Sequence, residues 1–127
     1  MQAKTLLTVA SAVLALSLPW AEVQAHADHG KAQFGGIVAE AGEAQFEIVG
    51  REGRVIVHAT HHGAPLDTAG ASGKLTVLSG TSRSEVDLRP AGGNRLEGTG
   101  SYAAGAKLLL QVQWPGRKPL QARVLAQ

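Results

Sequence analysis

From Gly35 onward, glycine and proline cut the chain into β-prone segments of four to nine residues, and that punctuation decides the fold class. A typical globular helix needs about ten or more residues without a breaker, whereas a strand needs about five. Residues 36–40, 45–49 and 54–59 predict a meander of three strands with turns at Gly42 and at Arg51-Glu52-Gly53. After a connection over residues 60–72, segments 74–78 and 84–89 flank Ser79-Gly80-Thr81 as a hairpin. Segments 95–98, 107–114 and 120–124 complete about eight strands, a spacing that suits an antiparallel sandwich or small barrel. Successive side chains of a strand face opposite sides, so Phe46 and Ile48, Val55 and Val57, Leu75 and Val77, Val86 and Leu88, Leu108, Leu110 and Val112, and Ala122 and Val124 are expected to face inward.

The N-terminus carries a different pattern. Lys4 is the only charge before Glu22, residues 6–18 are almost purely apolar, Pro19 ends that run, and Val23-Gln24-Ala25 presents small residues where a signal peptidase cleaves. This predicts a secretory signal helix over residues 1–25, with His26 as the new N-terminus. The apolar run is shorter than the roughly 20 residues a membrane-crossing helix needs. The expectation is therefore a periplasmic protein without membrane insertion once the signal is gone. Residues 26–34 are short, polar and without periodicity, which predicts a flexible tail, and residues 35–127 form the β-domain. The chain has no cysteine, so packing and not disulfides must hold that domain together.

The formal charge is +2, with both signs interspersed, which argues against a nucleic-acid partner. Nothing resembles a strained turn presenting a nucleophilic serine, a pair of carboxylates at glycosidic spacing, or a glycine-rich phosphate loop between strand and helix, so no enzyme is expected.

All five histidines fall in two groups, His26 and His29 in the tail, and His58, His61 and His62 at the end of the third strand and its loop. Imidazole is a ligand of choice for copper and zinc, so grouped histidines in an exported chain predict metal capture. His26 would offer its α-amine and its ring to one ion, a chelate suited to tetragonal copper(II), with Asp28 and His29 completing the set. His58 points outward on its strand, and the following loop is expected to fold His61 or His62 back beside it, with Asp67 as a carboxylate companion.

Three stretches carry a resemblance. These are Gly35-Gly36-Ile37-Val38-Ala39-Glu40-Ala41-Gly42 running into Gln45-Phe46-Glu47-Ile48-Val49, then Gly63-Ala64-Pro65-Leu66-Asp67, then Lys74-Leu75-Thr76-Val77-Leu78-Ser79-Gly80 with Pro90-Ala91-Gly92-Gly93-Asn94. Together they resemble a group of small, largely uncharacterised proteobacterial periplasmic proteins associated with copper or other heavy-metal efflux systems. The first two are also similar to the leading domain of some heavy-metal efflux adaptor subunits. The resemblance implies an immunoglobulin-like antiparallel β-sandwich and a metal-homeostasis setting with a periplasmic efflux component as partner. That family opens its first strand with His-Gly-Gly; here Phe34 precedes Gly35-Gly36, so the resemblance carries fold and setting but no ligand set. Two functions follow as expectations, an accessory protein binding copper(II) or zinc through its histidines, or an interaction module that docks on an envelope protein without metal.

Overall fold

The computed structural model describes residues 30–127. The expected signal and the tail candidates His26, Asp28 and His29 lie outside the described residues. Within them the chain forms β1 (Ile37–Ala41), β2 (Ala44–Arg51), β3 (Arg54–His61), β4 (Ala64–Pro65), β5 (Ser72–Ser79), β6 (Ser82–Pro90), β7 (Arg95–Thr99), β8 (Lys107–Gln113) and β9 (Leu120–Leu125). The expected all-β, antiparallel domain is the one that forms; the strand beyond the predicted eight is β4, a two-residue piece paired to the end of β3.

Hydrogen bonding runs without a break in the order β1-β2-β3-β7-β6-β5-β8-β9. β6 is the corner of this sheet. It pairs with β5 from Gly73↔Leu88 to Ser79↔Ser82 and with β7 only through Arg89 and Pro90, so its end belongs to the other half of the fold. β1 and β9, at the two ends of the order, lie against each other, which leaves the sheet nearly closed and barrel-like.

The two halves enclose one core. Phe46, Ile48, Val55, Val57, Leu75, Leu88, Leu108, Leu110 and Val112 are fully buried, as alternation predicts, and each contributes about 1.5–3 kcal/mol by leaving water. Val124, also expected inward, is only partly buried on the terminal strand. Alternation fails on the outer face of β2, where Glu47 and Val49 are buried as well. Residues 33–36 cross that face, with Gly36 lying directly over both side chains. The flexible tail expected through Phe34 therefore ends sooner, because the N–H groups of Gln33 and Phe34 are tied to the carboxylate of Glu47.

The long connection between β4 and β5 is also anchored. Thr68 is fully buried, and its Oγ1 donates to the carbonyl of Arg95 at 2.8 Å, while its N–H reaches the carbonyl of Gly93 at 3.0 Å. One residue earlier, the carbonyl of Asp67 accepts the indole N–H of Trp114 at 2.8 Å. These bonds fix one end of the barrel, and the candidate site lies there.

Candidate metal centre

The site follows from strand register. β2 and β3 are joined at Glu52-Gly53, and their ladder runs from Arg51↔Arg54 to Ala44↔His61. At the same end, β1 and β2 are joined by the two-residue turn Gly42-Glu43, and β3 and β4 by His62-Gly63. The residue before Ala44 therefore stands opposite the residue after His61, and Glu43 meets His62.

The turn at His62 has its own signature. His62 has φ 51° and Gly63 φ 81°, the left-handed pair of a type I′ hairpin, whose twist matches that of the strands. Glycine adopts that conformation freely, but a histidine there is held against a cost of about 1–2 kcal/mol. The imidazole of His62 is exposed at this turn.

Glu43, His61 and His62 each bring one donor atom to within 4.8 Å of the others. The His62 Nε2 and Glu43 Oε1 atoms are 2.5 Å apart, and the rings of His61 and His62 meet edge to face with centroids 4.3 Å apart. Side-chain exposures of 66% for His62 and 70% for Glu43 mean that this pair adds little to stability but is open to an ion arriving from solution. Metal–donor bonds of about 2 Å hold tetrahedral ligands about 3.3 Å apart, so small side-chain rotations close the set around one ion. Two imidazoles and a carboxylate fit zinc, leaving a fourth position open, and equally fit a tetragonal N,O set for copper(II).

The third histidine of the loop group is elsewhere. Residues three apart on a strand face opposite sides, so His58 is on the outer face of β3 while His61 turns toward the barrel end. This corrects the expectation that His61 or His62 folds back beside His58. Across the sheet His58 stands opposite Glu47 of β2 and Arg95 of β7, and Phe34 lies on its ring with centroids 3.9 Å apart. Burial lowers its pKa below the ordinary histidine range, outweighing the attraction of the Glu47 carboxylate. The companion expected in Asp67 is likewise not beside it: the Asp67 carboxylate accepts the N–H of Ala69 at 2.9 Å in a local turn.

Glu47 is the carboxylate that serves His58, and it does more. Its Oε1 accepts the N–H of Gln33 at 2.7 Å, and its Oε2 accepts those of Phe34 and Gly36, both at 2.8 Å. Burial alone would raise its pKa, but these three donors together outweigh burial and hold it below the ordinary carboxylate range. The Glu47–His58 pair is thus a clamp on the N-terminal segment, and its imidazole is covered.

A cavity of about 450 Å³ opens beside the Glu43–His61–His62 group, and both Glu43 and His61 line it. Its other charged walls are Arg117 and Lys118, and its apolar walls include Leu66, Trp114 and Leu120. No carboxylate of the described residues forms an ion pair with Arg117 or Lys118. Glu43, Arg117 and Lys118 were not among the residues expected at a site; the signal for Glu43 was the Gly42-Glu43 turn combined with the β2–β3 register. No protein-family model, curated protein or solved structure matches this chain.

Proposed function

We propose that this protein is a non-enzymatic, periplasmic accessory protein of heavy-metal homeostasis that captures copper(II), or alternatively zinc, at Glu43, His61 and His62. The observation that carries this is the convergence of two imidazoles and one carboxylate within 4.8 Å at an exposed barrel end. Copper(II) is the stronger candidate because nitrogen and oxygen sites bind it more tightly than zinc. The tail residues His26, Asp28 and His29 would supply a second capture point, and a periplasmic efflux component is the partner to which the ion passes.

The test is calorimetric titration with copper(II) at neutral pH of the chain from His26 onward carrying His26→Ala, Asp28→Ala and His29→Ala, so that only the barrel donors are read. One ion should bind per barrel site, and the His61→Ala/His62→Ala double variant should lose it while a His58→Ala variant keeps it. Binding that the double variant leaves intact would remove the barrel site from consideration.

A second reading has one observation in its favour. Leu78 and Leu125 are 40% and 56% exposed beside an apolar hollow of about 500 Å³ that Leu109 also lines, a surface suited to docking on another envelope protein. Replacing all five histidines by alanine separates the two. Metal tolerance lost with folding intact favours capture, and unchanged tolerance favours docking.

A further inference from the structure

The cavity beside the three donors carries two cationic side chains, Arg117 and Lys118, on a wall whose backbone is fixed. Trp114-Pro115-Gly116-Arg117 is a type II turn, with the Arg117 N–H donating to the Trp114 carbonyl at 3.2 Å and Gly116 at φ 73° in the position that requires glycine. Gln113 Nε2 also donates to the Arg117 carbonyl at 3.1 Å, and Trp114 is pinned to Asp67. The backbone that carries Arg117 and Lys118 is thereby fixed at the cavity wall, and the apolar side chains of Trp114 and Leu120 line the space beside them.

The charges on this cavity do not balance. A divalent ion held by one carboxylate and two neutral imidazoles keeps one positive charge, and Arg117 and Lys118 add two more around the same space. Three protein donors also leave at least one coordination position open, and Glu43 and His61 line the cavity into which such a position would open. Arginine is the side chain best shaped to hold a second carboxylate in a two-point fork. A volume of about 450 Å³ matches a small molecule and not a protein segment.

From these observations we infer that the site takes its metal together with a small dicarboxylate, one carboxylate on the metal and the other on Arg117 with Lys118 beside it. The inference rests on the metal-capture reading and names the co-ligand of the same site. The anion completes the coordination sphere and cancels the positive charge, so the ion is carried as a ternary complex. Monocarboxylates reach only one of the two ends and bind weakly.

Succinate is the probe and acetate its control, each titrated, after loading with one equivalent of copper(II), into the chain from His26 onward carrying His26→Ala, Asp28→Ala and His29→Ala, which removes the tail donors. Native mass spectrometry verifies the loading of every variant. Succinate should bind at least tenfold more tightly than acetate, shift the visible band of the copper, and lose that advantage in the Arg117→Gln/Lys118→Gln variant. Both positions are exposed, and a thermal melt confirms that the variant is folded. Succinate no better than acetate, or unaffected by the double substitution, overturns the anion seat and leaves the metal site standing. Succinate bound equally well without copper overturns the bridging arrangement. Failure of this tail-substituted chain, with Glu43, His61 and His62 intact, to retain copper overturns both the seat and the barrel-end capture site.

Discussion

Phe34 lies almost flat on His58, its ring 13° from parallel at 3.9 Å, and this contact together with the Glu47 carboxylate holds residues 33–36 across the outer face of β2. The histidine whose position on a strand looked most exposed is therefore the most enclosed of those described. Its role is to be a surface for the chain's own N-terminal segment.

The clamp makes stability depend on pH in two steps. His58 is held below its ordinary value of 6.5 by burial, so the unfolded chain takes up that proton first. The His58 contribution is complete above about pH 6.5 and is lost as pH falls toward the lower folded value. Glu47 is held below 4.5, so its contribution is complete above that pH and is lost as pH drops further. Thermal melts from pH 7.5 to 3 should show both declines, and His58→Gln should remove the first. A His58→Gln protein with an unchanged profile between pH 7 and 5 would contradict the assignment.

Glu47→Gln keeps the shape but replaces a charged acceptor by a neutral group with a donor of its own. At least one of the N–H groups of Gln33, Phe34 and Gly36 then faces another donor, a loss of about 1.5–3 kcal/mol. Urea denaturation should register that loss. Amide exchange should show protection vanishing at Phe34 and Gly36 while β5 and β8 remain protected.

At the barrel end, stability and binding should part. Asparagine tolerates left-handed backbone better than histidine, and Asn-Gly is the preferred type I′ pair. His62→Asn should raise stability by up to about 1 kcal/mol, roughly 4–8 °C in melting temperature for a domain of this size, while lowering copper affinity. A variant that is less stable than the parent would mean that the histidine contributes something other than a ligand.

Leu110 is 1% exposed in the longest apolar strand, and Leu110→Ala should cost about 2–5 kcal/mol through lost transfer energy and a residual cavity. Chemical denaturation of that variant checks the inward register of β8 directly.

Much of the fold was legible because it is written in short-range patterns. Glycine spacing located the hairpins, and alternation found inward sets from Phe46 to Val112. The strip from Glu47 to Val49 was not, since its burial comes from a segment with no periodicity that happens to cross it. The site was half legible. Histidine chemistry pointed to His61 and His62, but strand parity separates them from His58, and their carboxylate partner Glu43 is 19 residues from His62 in the chain. Only the pairing of β2 with β3 brings Glu43 into range, and an unpaired reading of each strand cannot supply it. Arg117 gave no signal because its meaning depends on what shares its cavity.

The turn at Glu52-Gly53 sits at the opposite pole of the β2–β3 ladder from Glu43 and His62, eight residue pairs away, or roughly 25 Å. That turn nonetheless acts as the site's ruler. Adding or removing one residue there would slide β3 past β2 by one notch and exchange its two faces. His61 would turn toward the clamp and His62 would pass beyond the reach of Glu43. A change in loop length far from Glu43, His61 and His62 would therefore undo their convergence while all three side chains remained in the chain.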